Sequence, residues 1–190
     1  MGLTVLILGL LVFLATHVFV TMREARAATI ARLGFNTYRA LFSIVSLGSL
    51  ALIVWGYGNT PWIAVWSPPA FLRHITIGLM LLAAIALVAY FVPSHIKAWL
   101  KHPLLVSAKT WAFAHLLTNG DLASIVMFAA FLAWGVYARI AAKRRGDQGF
   151  TTPPAGWTND IIVVVVGIVV FLALGYAFHP LVLHHPVFGS

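Results

Sequence analysis

Between Leu3 and Met22 the chain reads LTVLILGLLVFLATHVFVTM, twenty residues without a single charge. A bilayer core is about 30 Å thick, and roughly 20 apolar residues in a helix cross it. Inside lipid the backbone must satisfy its own hydrogen bonds, so such a stretch has to be helical. Similar stretches recur at Tyr38–Tyr57, Phe71–Val92, Leu122–Ile140 and Asp160–Phe178, with a shorter one at Leu104–Thr118. Hydrophobic residues make up 62% of the 190 and charged ones 8%. Soluble domains run near about 45–50% and about 25%, so a soluble fold is excluded. The sequence implies an all-α, polytopic transmembrane helical bundle of about six helices, forming one domain over residues 1–190. The first stretch has no basic start and no small-x-small cleavage site, and is read as a retained span rather than a signal peptide. With no cysteine, disulfides and thiolate chemistry are excluded.

The net charge of +8 is a topology signal. Arg23, Arg26, Arg32 and Arg39 follow the first span; Lys97, Lys101 and Lys109 follow the third; Arg139, Lys143, Arg144 and Arg145 follow the fifth. The connection GNTPWIAVWSPPAFLR holds only Arg73, and the corner TNGD holds no base. Basic loops face the cytoplasm, which puts both termini outside provided that Leu104–Thr118 also crosses. Anionic headgroups, not nucleic acid, are the partners that this pattern selects. Tyr38, Trp55, Tyr57, Trp62, Trp66, Trp99, Trp134, Tyr137 and Trp157 read as interfacial belts.

The most polar passage is HPLLVSAKTWAFAHLLTNGDLAS, His102 to Ser124. Asn119-Gly120-Asp121 reads as the corner of a tight αα hairpin between the fourth and fifth helices. Gly120 is expected in the left-handed conformation, and Asp121 as the N-cap of the next helix. Pro103 suits a first-turn position. Asp160 is expected to cap the last span. On a helix Ala108, Ala112 and His115 share one face with Trp111 beside them, which fits either tight helix packing or a slot for a planar cofactor.

His17, in LVFLATHVFV, is an intramembrane ionisable residue and a functional candidate by default; a single hydrogen bond to a neighbouring helix is its bland alternative. Imidazole pairs on facing helices are common axial ligands for a b-type haem. Arg23 and Arg39 are placed to pair with its propionates. Counting puts His17 about 20 Å below the outer end of its span and His115 about 5 Å below, so His74, at the shallower depth, is a reserve ligand. His95 reads as a solvated loop residue, and His179, His184 and His185 as surface histidines of the tail.

HPLLVSAKTWAFAHLLTNGD, RLGFNTYRALFSIVSL (Arg32–Leu47) and TH…MR in the first span together resemble the NnrU family of bacterial inner-membrane proteins over nearly the whole chain. That family is associated with nitrite and nitric oxide reduction in denitrifying bacteria. It is similar in turn to plastid zeta-carotene isomerase, a membrane haem b enzyme. The isomerase's two haem-ligand histidines fall on His17 and His115 and its His-Pro histidine on His102, whereas it has no lysine at Lys109. A fainter likeness to isoprenylcysteine carboxyl methyltransferases rests on His-Pro and a polar helix pair.

The resemblance implies one haem b between the first and fourth helices. His17 and His115 would be axial ligands, with Ala108, Trp111 and Ala112 giving clearance. Its role would be electron transfer, gas sensing or haem-dependent isomerisation, and denitrification enzymes would be possible partners. His102, Lys109, Asn119 and Asp121 form the other polar site. The alternatives are a methyltransferase-like enzyme using a nucleoside cofactor near His102, or an assembly partner of a nitric oxide or nitrite reductase.

Overall fold

The computed structural model describes residues 1–153, 156–183, 187 and 188. Its helices are α1 (Gly2–Thr21), α2 (Arg23–Leu33), α3 (Phe35–Gly58), α4 (Leu72–Phe91), α5 (His95–Leu100), α6 (Pro103–Thr118), α7 (Leu122–Arg144) and α8 (Thr158–Ala173). A π turn at Leu174–Phe178 continues α8 into α9 (His179–Val182). Among the described residues five helical stretches are long and apolar enough to span a bilayer: Gly2–Thr21, Phe35–Gly58, Leu72–Phe91, Leu122–Arg144 and Thr158–Val182. The chain is a multi-pass helical membrane protein. α6, at 16 residues, is about 24 Å long and falls short of that length.

The chain divides into two compact units. One comprises Met1–Pro69 and His115–Gly146, the other Ala70–Ala114 and Asp147–Ser190. In the first, α1 packs on α3 and α7 around Leu6, Leu10, Ile53 and Ala123. Lipid is as apolar as leucine, so close fit rather than water exclusion holds such helices together. Glycine supplies that fit: a Cβ on Gly56 would sit 2.7 Å from the Cα of Leu6, and one on Gly9 2.9 Å from the amide nitrogen of Ile53. Outward residues such as Leu11, Ile44 and Val54 are exposed apolar side chains, as a lipid-facing surface demands.

In the second unit α4 packs on α8 around Val88, Ala89 and Val163. A Cβ on Gly167 would lie 2.8 Å from the Cα of Ile85. Polar side chains tie α6 to α4: Ser107 donates to the Ala83 carbonyl at 2.8 Å, and Thr76 to that of Ala114 at 3.0 Å.

Several local expectations are revised. The basic connection after α1 is itself a helix, α2, with no buried residue. Gly120 is not left-handed; among the described residues the positive-φ glycines are Gly34, Gly146, Gly149 and Gly156. Asn119 closes α6 instead, giving its backbone and side-chain N–H groups to the His115 carbonyl at 2.9 and 2.8 Å. Gly120 is needed for space: a Cβ there would meet Pro68 Cδ at 3.0 Å and overlap the Trp66 carbonyl oxygen. Its own carbonyl accepts from the amides of Val65 and Trp66, while Leu122 donates to Ile63. This pairing, with the isolated bridge Ala64–Asp121, is the only extended pairing among the described residues.

Asp160 does not cap its own helix, whose N-cap is Trp157. Its carboxylate caps α5 from outside, accepting from the Ile96 amide at 2.9 Å and lying 2.8 Å from His95 Nδ1. His95 is accordingly no solvated loop residue: its ring stacks on Trp157 with centroids 4.0 Å apart. The first turn of α8 and the exposed N–H groups of α5 both favour negative charge, and one carboxylate serves both. His179 sits in α9 with Nδ1 donating to the Leu174 carbonyl at 2.7 Å, while His184 and His185 lie outside the described residues.

Candidate functional site

The first unit carries an aromatic ladder on α7. Phe128 stacks on His115 at 4.6 Å, Phe131 meets Phe13 edge-on at 5.6 Å, and Trp134 meets His17 edge-on at 5.7 Å. Residues three apart on a helix climb about 4.5 Å, so the levels of His115 and His17 differ by about 9 Å along α7. The Phe13–Phe131 pair occupies the level between them. The two rings therefore share no neighbour among these contacts, although two nitrogens on one iron must lie within a few ångströms of each other. His74, in the first turn of α4, belongs to the second unit and is exposed.

His17 is arranged as a ligand would be. Its Nδ1 lies 2.7 Å from the Phe13 carbonyl, an acceptor only, so Nδ1 carries the hydrogen and Nε2 keeps its lone pair. Metal-bound histidines are commonly oriented by such a second bond. The ring is fixed by Phe13, stacked at 4.0 Å, and by Phe42 at 5.4 Å. Nε2 of His17 is thus the ring nitrogen left with an acceptor lone pair, and the Phe13–Phe131 pair lies between its level and that of His115. Among the described residues no cluster of three or more His, Asp or Glu could hold a bare metal ion.

Phe42 also borders a cavity of about 290 Å³ at the ends of α1 and α3, with Val20, Arg26, Phe35, Tyr38, Arg39 and Ser43. Tyr38, read from sequence as a belt residue, is only 8% exposed, and its hydroxyl has no partner. The Arg26 Nε is buried without one as well. A buried donor left unbonded costs about 1–3 kcal/mol, so each such group calls for an account. Arg26 and Tyr38 were missed as site residues because they are twelve apart in sequence and on different helices; only packing joins them. Trp134, another belt assignment, is half-buried against His17 with its indole N–H unpartnered. Arg145 donates to the Thr21 carbonyl at 3.3 Å, placing a cation at the C-terminal end of α1, where the helix dipole favours it.

The remaining expected site residues are dispersed. Arg23 is exposed at the start of α2 and does not line the cavity that Arg39 lines. In the second unit's part of α6, Ala112 is fully buried, while Ala108, Lys109 and Trp111 are half-buried. His102 precedes Pro103, the first residue of α6, and its Nε2 is buried without a partner. Loop residue Phe150 donates to the Lys101 carbonyl at 2.9 Å beside it. At the corner Asp121 caps α7 as expected, with Oδ1 accepting from the Ser124 amide at 2.9 Å; its Oδ2 is buried and unpartnered. The Ser124 hydroxyl bonds the hydroxyl of Tyr57 at 2.9 Å.

No curated protein and no solved structure matches the chain. The model of the NnrU protein family matches residues 5–187. Spanning nearly all of the 190 residues, that match makes the chain a member of the NnrU family.

Proposed function

We propose that the chain lies in a bacterial inner membrane with α6 as a short sixth crossing, which leaves both termini periplasmic, and that its first unit holds one haem b with His17 as an axial ligand through Nε2. The observation that carries this reading is the hydrogen bond from His17 Nδ1 to the Phe13 carbonyl, which leaves Nε2 free to coordinate. His115 is the second ligand if the Phe13–Phe131 pair swings aside; otherwise that coordination position stays open. An open position suits gas binding or catalysis better than electron transfer, in keeping with a role in nitrite and nitric oxide metabolism and with isomerase-like chemistry on a lipid-soluble substrate. When bound, haem would supply the redox and gas-binding chemistry. The chain's own part is to fix the imidazole tautomer and to wall that ring with Phe13, Phe42 and Trp134.

Absorption spectra of protein purified after expression with added haem test this. A Soret band lost in His17→Ala and retained in His115→Ala is expected; a shift of the band in His115→Ala marks His115 as the second ligand. Absence of any Soret band in the wild type refutes it. A second reading, a transferase using a nucleoside cofactor, is favoured by one observation, the unpartnered Nε2 of His102. Calorimetry with S-adenosylmethionine and a His102→Ala variant decides it.

A further inference from the structure

We propose that the cavity at the ends of α1 and α3 is a headgroup site for an anionic phospholipid, with Arg26, Tyr38 and Arg39 receiving the phosphate oxygens. Two of the residues lining the cavity, Tyr38 and Arg26, hold buried atoms with no partner, Oη and Nε, and both atoms carry hydrogens to give. A guanidinium has only donors and a phenol donates readily, so the partner they need is an acceptor. The lining holds two guanidinium groups and no carboxylate, and Glu24 is the sole acidic residue before Asp121. That acceptor is therefore an anion.

Both cations are held in place already. The guanidinium carbon of Arg26 lies 5.6 Å from the centre of the Tyr38 ring, and that of Arg39 5.5 Å from the Phe35 ring. Aromatic stacking of this kind leaves a planar fork oriented for bidentate contact with phosphate oxygens. Depth supplies the last argument. Val20 is in the last turn of α1, and Phe35, Tyr38 and Arg39 are in the first turns of α3. The site thus lies where two spans meet the membrane–water boundary, the level of lipid phosphates. The apolar lining of Val20, Phe35 and Phe42 suits the start of an acyl chain better than a free inorganic ion.

This inference does not rest on haem binding, although a haem propionate offers similar oxyanion chemistry. The test uses the full chain in detergent, prepared both without and with haem. Its unfolding temperature is followed as dioleoylphosphatidylglycerol, dioleoylphosphatidylcholine or inorganic phosphate is added, with bound lipid counted by native mass spectrometry. Phosphatidylglycerol alone should stabilise haem-free protein, with one lipid retained. Arg26→Gln should weaken that affinity about tenfold or more, and Tyr38→Phe about twofold to tenfold, as expected for losing a charged and a neutral donor. Tyr38→Phe removes only the hydroxyl, so it carries the test if Arg26→Gln fails to fold. Equal stabilisation by both lipids, an effect matched by inorganic phosphate, or wild-type affinity in Tyr38→Phe overturns the proposal. Loss of the lipid effect on haem loading, with Arg26→Gln also releasing haem, overturns it in favour of a propionate site.

Discussion

Replacing Gly120 by alanine tests how the corner between α6 and α7 is held. Its φ is outside the left-handed region, so alanine brings no backbone strain there, and the whole effect must come from crowding. The added Cβ would sit 3.0 Å from both Pro68 Cδ and the carbonyl carbon of Trp66, and closer still to the Trp66 carbonyl oxygen. Segment 63–66 has to withdraw. Withdrawal breaks the bonds from Val65 and Trp66 to the Gly120 carbonyl, at 2.8 and 3.1 Å, and that from Leu122 to Ile63, at 2.9 Å. At about 0.5–1.5 kcal/mol net for each, the loss amounts to about 2–4 kcal/mol. Reversible unfolding in mixed dodecyl sulfate micelles, followed by tryptophan fluorescence, measures it. Gly78→Ala is the matched control, because nothing lies within 4 Å of a Cβ at that position in α4. It should be neutral or stabilise by up to about 1 kcal/mol through helix propensity. If Gly120→Ala unfolds at the same denaturant fraction as Gly78→Ala, the close approach of Trp66 to Gly120 is not a feature of the folded protein.

Asp160→Ala removes the acceptor for both His95 and the Ile96 amide; a loss of about 2–4 kcal/mol and altered Trp157 emission are expected, and wild-type stability with unchanged emission would count against the trans cap. Asp121→Ala should cost about 0.5–2 kcal/mol through the lost N-cap, whereas Asp121→Asn, an equally good cap, should cost only a few tenths; equal costs would show that the unpartnered oxygen matters more than the capping one. Gly56→Val pushes into the backbone of Leu6 and should destabilise the α1–α3 pair by about 1–3 kcal/mol in the same unfolding assay, an effect absent if those helices are not in contact. Tyr57→Phe loses the bond to Ser124 and should cost about 0.5–1.5 kcal/mol, read out in the same way.

The spans were legible because their cause is local. Twenty uncharged residues from Leu3 to Met22 leave little choice but a helix, and α1 occupies Gly2–Thr21. Asp121 was equally readable, since a cap reaches only three residues along the chain. What escaped was tertiary. An N-cap pattern cannot tell that Asp160 will serve α5 instead of α8, because the partner lies 64 residues away. Gly120 was assigned to a turn by its type, yet its role comes from the Trp66 carbonyl, which nothing near position 120 announces. Tyr38 and Trp134 looked like belt residues because aromatic residues near span ends usually are; their burial against Arg26 and His17 follows from how α1, α3 and α7 meet. At the site, His17 stood out by its chemistry alone. The phenylalanine pair separating its level from that of His115 could not be foreseen, since those two rings sit on different helices.

The pairing of segment 63–66 with the corner also bears on the order of assembly. The amides of Val65 and Trp66 emerge from the ribosome well before Gly120, whose carbonyl satisfies them, has been translated. During that interval Ala70–Ala114, which belongs to the other unit, must be made and threaded. The first unit is thus completed late, from a strip of chain that waits at the bilayer with its donors bonded to solvent until the returning corner takes the water's place.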